Sequence, residues 1–359
     1  MLDFTLRLHR AIAPNPGEQV CWSPFSVASA LGLLTLGARG RTRAELEAVL
    51  GDLDALTPAI AGASKLGKPR EDEDAPVLAV SNTLWADETI TIHRSFADEL
   101  ARWSDGSVRN APFRSEPEKA RAMINDDVAE TTRQLIPQLL PEGTIKRNTV
   151  SALVNALYLK SGWRNPFDEG GTEPRPFHGV AGTVDVPTMT LNERVGYAAR
   201  DGWQVVSLPG IGGVEAVVLL PDADLGTAEA ALTDASLGAL LDAPTPTQVQ
   251  LFLPKLKATT QVELTPALSS LGVQAVFTRD ADLGGISPDW LAVQSVIHES
   301  VLKVDEQGFE GAAATAVMMR LMSLPPEPVV VAVDRPHLLV VRHRGTGVVY
   351  FVTRVTDPS

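Results

Sequence analysis

The chain has 359 residues and a net charge of −13, with 31 Lys and Arg scattered among 44 Asp and Glu. That balance leaves no basic face for nucleic acid. Hydrophobic residues at 44% and charged residues at 21% are in the globular range, and no apolar stretch approaches the ~18 residues of a membrane span, so neither partner is expected. The single cysteine, Cys21, excludes an intrachain disulfide, and the core alone must hold the fold.

At this length, one large core and two domains are both open readings. Leu2, Leu6 and Ala13 set against charged neighbours predict an amphipathic N-terminal helix. This segment lacks the unbroken apolar run and small-residue cleavage site of a signal peptide. Helical spacing predicts helices over 26–36 and 42–50, separated by Gly37 and Gly40. The densest basic cluster, Arg39, Arg41 and Arg43, runs into Glu45 and Glu47 and reads as a solvated helix start. Residues 51–74 read as a short helix and a mobile loop, 77–85 as a strand, and 119–132 as a helix. The apolar run 149–159 has the character of a central strand buried on both faces. Further strands are predicted at 184–189, 203–208, 214–220, 248–253, 293–304, 330–333, 337–341 and 347–354. A helix over 264–271 is closed by Gly272. Helices first and many strands later give an α+β protein on large, mostly antiparallel sheets.

No catalytic constellation emerges. The six histidines include no HExxH, no Cys/His cluster has zinc spacing, and Walker, GxSxG and GxGxxG patterns are absent from the sequence. Ser300-Val-Leu-Lys303 matches SxxK formally, but that chemistry needs a helix, and the surrounding β-branched residues predict a strand. The enzyme reading therefore has no residues to stand on, and no cofactor or metal is implied.

The most informative stretch is 304–328, where small residues give way to a Pro-rich segment. Local propensity supports an Ala-rich helix over 310–321. Alternation gives a strand: Phe309, Gly311, Ala313, Thr315, Val317 and Met319 form a buriable face, with Glu310, Ala312, Ala314, Ala316, Met318 and Arg320 opposite. Periodicity does not choose between them.

Asp305-Glu-Gln-Gly308 followed by Glu310-Gly-Ala-Ala-Ala-Thr-Ala316 resembles the hinge of the serpin family. Trp22-Ser-Pro-Phe-Ser26, Val154-Asn-Ala-Leu-Tyr-Leu-Lys-Ser-Gly-Trp163, Leu253-Pro-Lys-Leu256, Leu271-Gly-Val-Gln-Ala-Val-Phe277, Ala281-Asp-Leu283 and Asp334-Arg-Pro336 resemble its other signatures, in order along the chain. The resemblance implies one serpin domain over 1–359: helices packed on three mostly antiparallel sheets, with an exposed reactive loop at about 306–328. It also implies a monomer, and points to a prokaryotic member of the family. It suggests an extracellular setting; the chain's own composition leaves the cytoplasm open.

The activity implied is suicide inhibition of a serine protease, in which the cleaved loop inserts into the large sheet and carries the acylated enzyme with it. About 14 inserted residues at ~3.3 Å each span roughly 45 Å, close to the ~50 Å diameter of a compact chain this long. The family places the acyl-side residue seventeen along from the hinge glutamate, which gives Met322, with Ser323 on the leaving side. Met322 suits chymotrypsin-, elastase- or subtilisin-like enzymes; Arg320–Leu321 is the runner-up bond. The hinge covers Glu306, Gly308, Phe309, Glu310, Gly311, Ala312, Ala313, Ala314 and Thr315. Ser23, Ser26, Asn155 and His298 match residues controlling the middle of the sheet, and Trp163, Lys255 and Glu306 its top, where Lys255 and Glu306 are expected to pair. Phe309 departs from the usual Thr or Ser, and its bulk is expected either to slow insertion or to be buried favourably. Gly311 for Ala is a mild departure, and Thr353 for Gly has no reading. The alternative within the family is a non-inhibitory binding, carrier or chaperone-like protein; a charged or proline-rich hinge would mark it, and this hinge is neither.

Overall fold

The computed structural model describes residues 1–71, 73–100, 106–309 and 327–359. The chain begins with helix α1 (Leu2–Ile12), strand β1 (Val20–Trp22) and helices α2 (Pro24–Gly37), α3 (Gly40–Leu50) and α4 (Leu53–Ala63). Strand β2 (Val77–Asp87), helix α5 (Arg94–Leu100), strand β3 (Gly106–Ala111) and helix α6 (Pro117–Thr131) follow. Strands then dominate: β4 (Ser151–Gly162), β5 (Glu173–Gly179), β6 (Gly182–Arg200), β7 (Trp203–Pro209) and β8 (Val214–Pro221). After helices α7 (Leu225–Ala230) and α8 (Asp234–Leu241) come β9 (Thr245–Pro254), β10 (Leu256–Glu263) and helix α9 (Thr265–Ser270). The chain closes with β11 (Val296–Val304), β12 (Gly308–Phe309), β13 (Val329–Ala332), β14 (His337–His343) and β15 (Val349–Val355).

Two sheets result. The six-stranded sheet runs β10-β11-β12-β4-β2-β3, and the nine-stranded one β1-β15-β14-β8-β7-β6-β9-β13, with β5 paired to β6. In the first, β4 lies antiparallel to β2 from Ser151 to Lys160. On its other side β4 pairs with β11 in parallel over only four residues, Leu153–Ala156 against Val296–Glu299. Above that point the two strands diverge, and β12 sits between them.

Both faces of this sheet are covered, which explains the unbroken apolar run of β4. Leu153, Leu157 and Leu159 join the main core with α2. Val154 and Ala156 face the opposite way, into a second cluster with Ala120, Ile124 and Val128 of α6. Helix α2 is itself apolar all round and almost wholly buried, as expected of a helix enclosed by two sheets. The Ser23 hydroxyl caps it by accepting the Ser26 N–H at 3.1 Å, and Pro24 occupies its first turn, where no N–H is needed. At its far end, a Cβ on Gly37 would lie 2.1 Å from the Ile286 side chain, so glycine permits the close approach there.

The termini are joined by a buried charge cluster. Arg354 of β15 donates to both Glu229 carboxylate oxygens, at 2.8 and 2.6 Å, and to the carbonyls of Asn15 and Ala13. His9 Nε2 lies 2.8 Å from Glu229, and its Nδ1 accepts the Trp22 indole N–H at 2.9 Å. Burial pushes the Glu229 carboxyl up, but bonds from His9 and Arg354 outweigh it and hold it down at about 2. A depressed carboxyl stabilises the fold above its unfolded value of 4.5 and loses that contribution as pH falls toward 2. The stability advantage of the native protein over Glu229→Gln is therefore expected to shrink between pH 5 and pH 3, as read from urea midpoints across that range.

Candidate functional site

The upper ends of β4 and β11 hold the hinge. After β11 the chain makes a tight turn in which Asp305 Oδ1 accepts the N–H groups of Gln307 and Gly308 at 3.0 and 3.2 Å. Gly308 has φ of 148°, and a Cβ there would lie 2.2 Å from the Ser161 carbonyl oxygen, so only glycine fits. Trp163 clamps the turn from below. Its indole donates to the Asp305 carbonyl at 2.8 Å, and its backbone N–H donates to Gln307 at 2.9 Å. Glu306 is held on three sides. Its Oε2 lies 2.7 Å from Lys255 Nζ, its Oε1 accepts from Thr172 at 2.6 Å, and its carbonyl accepts the Phe167 N–H.

The expected Lys255–Glu306 pair is thus present. Burial raises the Glu306 carboxyl, while Lys255 and Thr172 lower it further, for a net downward shift. The Lys255 side chain is 41% exposed, so water screens the pair. Lys255→Met should lower stability by less than about 1 kcal/mol, a change of no more than a few degrees in thermal midpoint.

Phe309, the departure from the usual Thr or Ser, lies at the end of the described segment. Its ring is wholly buried, 4.6 Å from that of Trp163. Its backbone pairs with Ser161 of β4 and Val304 of β11. The bulky side chain sits in an apolar seat at the head of the gap between the two strands. Of the hinge, Glu310, Gly311, Ala312, Ala313, Ala314 and Thr315 lie outside the described residues, as do both candidate bonds, Met322–Ser323 and Arg320–Leu321.

The second group lies beneath the point where β4 and β11 meet. Asn155 Oδ1 accepts from the Ser26 hydroxyl at 2.6 Å and from His298 Nδ1 at 2.9 Å. Its amide donates to the Ser26 carbonyl at 2.9 Å and to Asn82 Oδ1. His298 Nε2 accepts the Ser23 backbone N–H at 3.1 Å and the Ser300 hydroxyl at 2.9 Å. Since an amide oxygen can only accept, these partners fix His298 as the neutral Nδ1–H tautomer. Burial drives its pKa down to about 3. Ser23, Ser26, Asn155 and His298, drawn from α2 with its cap and from both central strands, form one network.

Sequence reasoning missed three contributors: Asn82 and Ser300 in this network, and Thr172 at the hinge. A lone Asn within the apolar strand 77–85 was the available signal for Asn82. Ser300 and Lys303 lie in β11, not on a helix, and Ser300 is a buried network member. Among the described residues no group of three or more His, Cys, Asp or Glu is placed to hold a metal ion.

Two central strands joined over four residues, with β12 seated between their diverging ends, are features of the serpin fold. The protein-family model "Serpin (serine protease inhibitor)" matches residues 1–358, and the chain belongs to the serpin family. Iripin-2 of Ixodes ricinus is 33% identical over 98% of this chain and 91% of its own length. Serpin A3-3 of Bos taurus is 34% identical over 99% of this chain and 88% of its own. The crystal structure of human thyroxine-binding globulin complexed with thyroxine superposes with a TM-score of 0.87 at 25% identity, covering 100% of this chain and 97% of that one. These relatives come from animals, and the expectation of a prokaryotic member finds no support in them. Serpins act as inhibitors of proteases and are not themselves enzymes, although some, among them thyroxine-binding globulin, are non-inhibitory.

Proposed function

We propose that this serpin traps a chymotrypsin-, elastase- or subtilisin-like serine protease, with Met322–Ser323 as the bait bond. The observation that carries the reading is the position of β12 at the head of the gap between β4 and β11, where Gly308 pairs with β4 and Phe309 with both strands. The protease serine attacks the Met322 carbonyl and the bond to Ser323 breaks. Met322 is left as an ester on the enzyme, and a proton passes to the new Ser323 amine. Freed of its downstream tether, the segment from Glu310 extends β12 downward. Continuing the antiparallel register of Gly308 on Gly162 and Phe309 on Ser161 brings Ala313 beside Leu157 and Thr315 beside Asn155. The four parallel pairs between β4 and β11 must separate, and each central strand gains a full partner in exchange. Ser23, Ser26, Asn155 and His298 set the resistance to that opening. Trp163, Lys255 and Glu306 hold the segment's fixed end.

The bond assignment is tested by incubation with chymotrypsin and with trypsin, followed by mass spectrometry of the released C-terminal peptide. A peptide beginning at Ser323 is expected, and Met322→Arg should shift preference toward trypsin by about 100-fold or more, since the pocket contact is made in the transition state. A peptide beginning at Leu321, with trypsin preferred by the native chain, would assign the bond to Arg320 instead.

A further inference from the structure

Below the four pairs that join β4 to β11, side chains bridge the two segments that lead into these strands. Gln294, just before β11, reaches across to the residues just before β4. Its Oε1 accepts the Val150 N–H at 2.8 Å, and its Nε2 donates to the Asn148 carbonyl at 3.1 Å. One carboxamide thus serves both a donor and an acceptor of the opposite segment, which a carboxylate could not do. The Ser151 hydroxyl crosses in the other direction, donating to the Ala292 carbonyl at 2.9 Å. Val150 and Ser151 are buried, whereas Gln294 is exposed at the rim.

The registers of β12 place this bridge in the path of the reactive segment. The pairing of Phe309 with Ser161 on one side and with Val304 on the other carries Val317 to the same place by either count. That place lies between Leu153 and Val296, which are partners in the closed sheet. Continued further, the two registers bring Met319 between Ser151 and Gln294, and Met322 between Asn148 and Leu291. Residues 314–317 replace the four parallel pairs, and 318–322 must then follow before Met322 arrives. At ~3.3 Å per residue this is roughly the last 16 Å of travel, and it runs through the Gln294 bridge. The bonds of the bridge are made while the gap is closed at its lower end, so they oppose the end of insertion and not its beginning.

We infer that Gln294 is a latch on the final stage of insertion, and sets how often an acylated protease is carried to the lower end before hydrolysis releases it. The inference rests on the trapping reading proposed above. Insertion competes with deacylation, so bonds that must break late in the travel shift the outcome toward release.

Gln294→Ala is expected to raise the ratio of SDS-stable complex to cleaved protein, after reaction with chymotrypsin, by about 3-fold or more. Gln294→Glu should act in the same direction, since it keeps an acceptor for Val150 but sets a carboxylate against the Asn148 carbonyl. The rate of release of the C-terminal peptide should not change in either variant, because the bait bond is attacked before the latch is met. A merely structural role for Gln294 would leave the ratio unmoved. A synthetic peptide of residues 310–322, added to the uncleaved protein without protease, gives a second measurement. Its uptake, followed by the rise in thermal midpoint, should be several-fold faster in Gln294→Ala. An unchanged or lower complex ratio in Gln294→Ala, or equal rates of peptide uptake, would overturn the inference. Faster uptake in the variant while neither chain forms a complex would support the latch and reject protease trapping. Absence of both complex and uptake in native and variant chains would reject the two together.

Discussion

An Ala313→Arg variant is expected to lose covalent trapping by about 100-fold and to behave as a substrate. The register set by Gly308 and Phe309 on β4 carries Ala313 to a position beside Leu157, which is 2% exposed in the main core. A guanidinium brought there has no carboxylate among the core residues to pair with, and burying an unpaired charge costs several kcal/mol. Insertion competes with hydrolysis of the acyl-enzyme, so even part of that cost, expressed in the insertion barrier, shifts the outcome at a factor of ten per ~1.4 kcal/mol. The measurement is the yield of SDS-stable complex against the yield of cleaved protein and active protease. Ala313→Val, small and suited to a strand, should retain trapping. Equal complex yields for Ala313→Arg and the native chain would remove the proposed register.

Asn155→Ala is expected to destabilise the native state by about 3 kcal/mol, because it leaves several buried partners without bonds. Asn155 uses all of its bonding capacity at once, on Ser26, His298 and Asn82. The thermal midpoint should fall by about 4 °C, and the β4–β11 contact should open more readily. The same network predicts a pH dependence. His298 is neutral in the fold, with its pKa reduced from 6.5 to about 3 by burial, and a second ring proton would face the Ser23 and Ser300 donors. Its contribution is complete above pH 6.5 and is lost progressively as pH falls toward 3. His337, also buried and reduced to about 4, acts in the same direction. Unfolding midpoints should therefore drop between pH 7.5 and pH 5 in the native protein. A flat profile over that range would contradict the neutral-histidine account.

Much of the fold was legible where one physical signal dominated. Helix α2 and strand β4 are continuous apolar runs, and the structure buries them on all sides. Strand β10 was not anticipated, because Leu256-Lys-Ala-Thr-Thr-Gln-Val-Glu263 is an edge strand with one solvated face and little apolar content. The segment 184–189 proved to be the start of a strand running from Gly182 to Arg200. Its polar middle, Asn192-Glu-Arg194, is exposed and hid the continuation. Of the site, the hinge and network residues were reached through family resemblance, since neither composition nor spacing brings Asn155 to His298. The seat of Phe309 was not legible by any route. Its partner Trp163 lies just past the end of β4, and bulk at that position says nothing of whether a pocket exists until β12 is placed against β4.

The central claim is that cleavage leads to capture. Mixing the purified protein with chymotrypsin and resolving the products on a denaturing gel tests it most directly. An SDS-resistant complex of serpin and protease, formed together with release of a peptide beginning at Ser323, is the predicted result. Complete cleavage of the reactive segment with the protease left fully active would contradict it, and would place this chain among the non-inhibitory serpins.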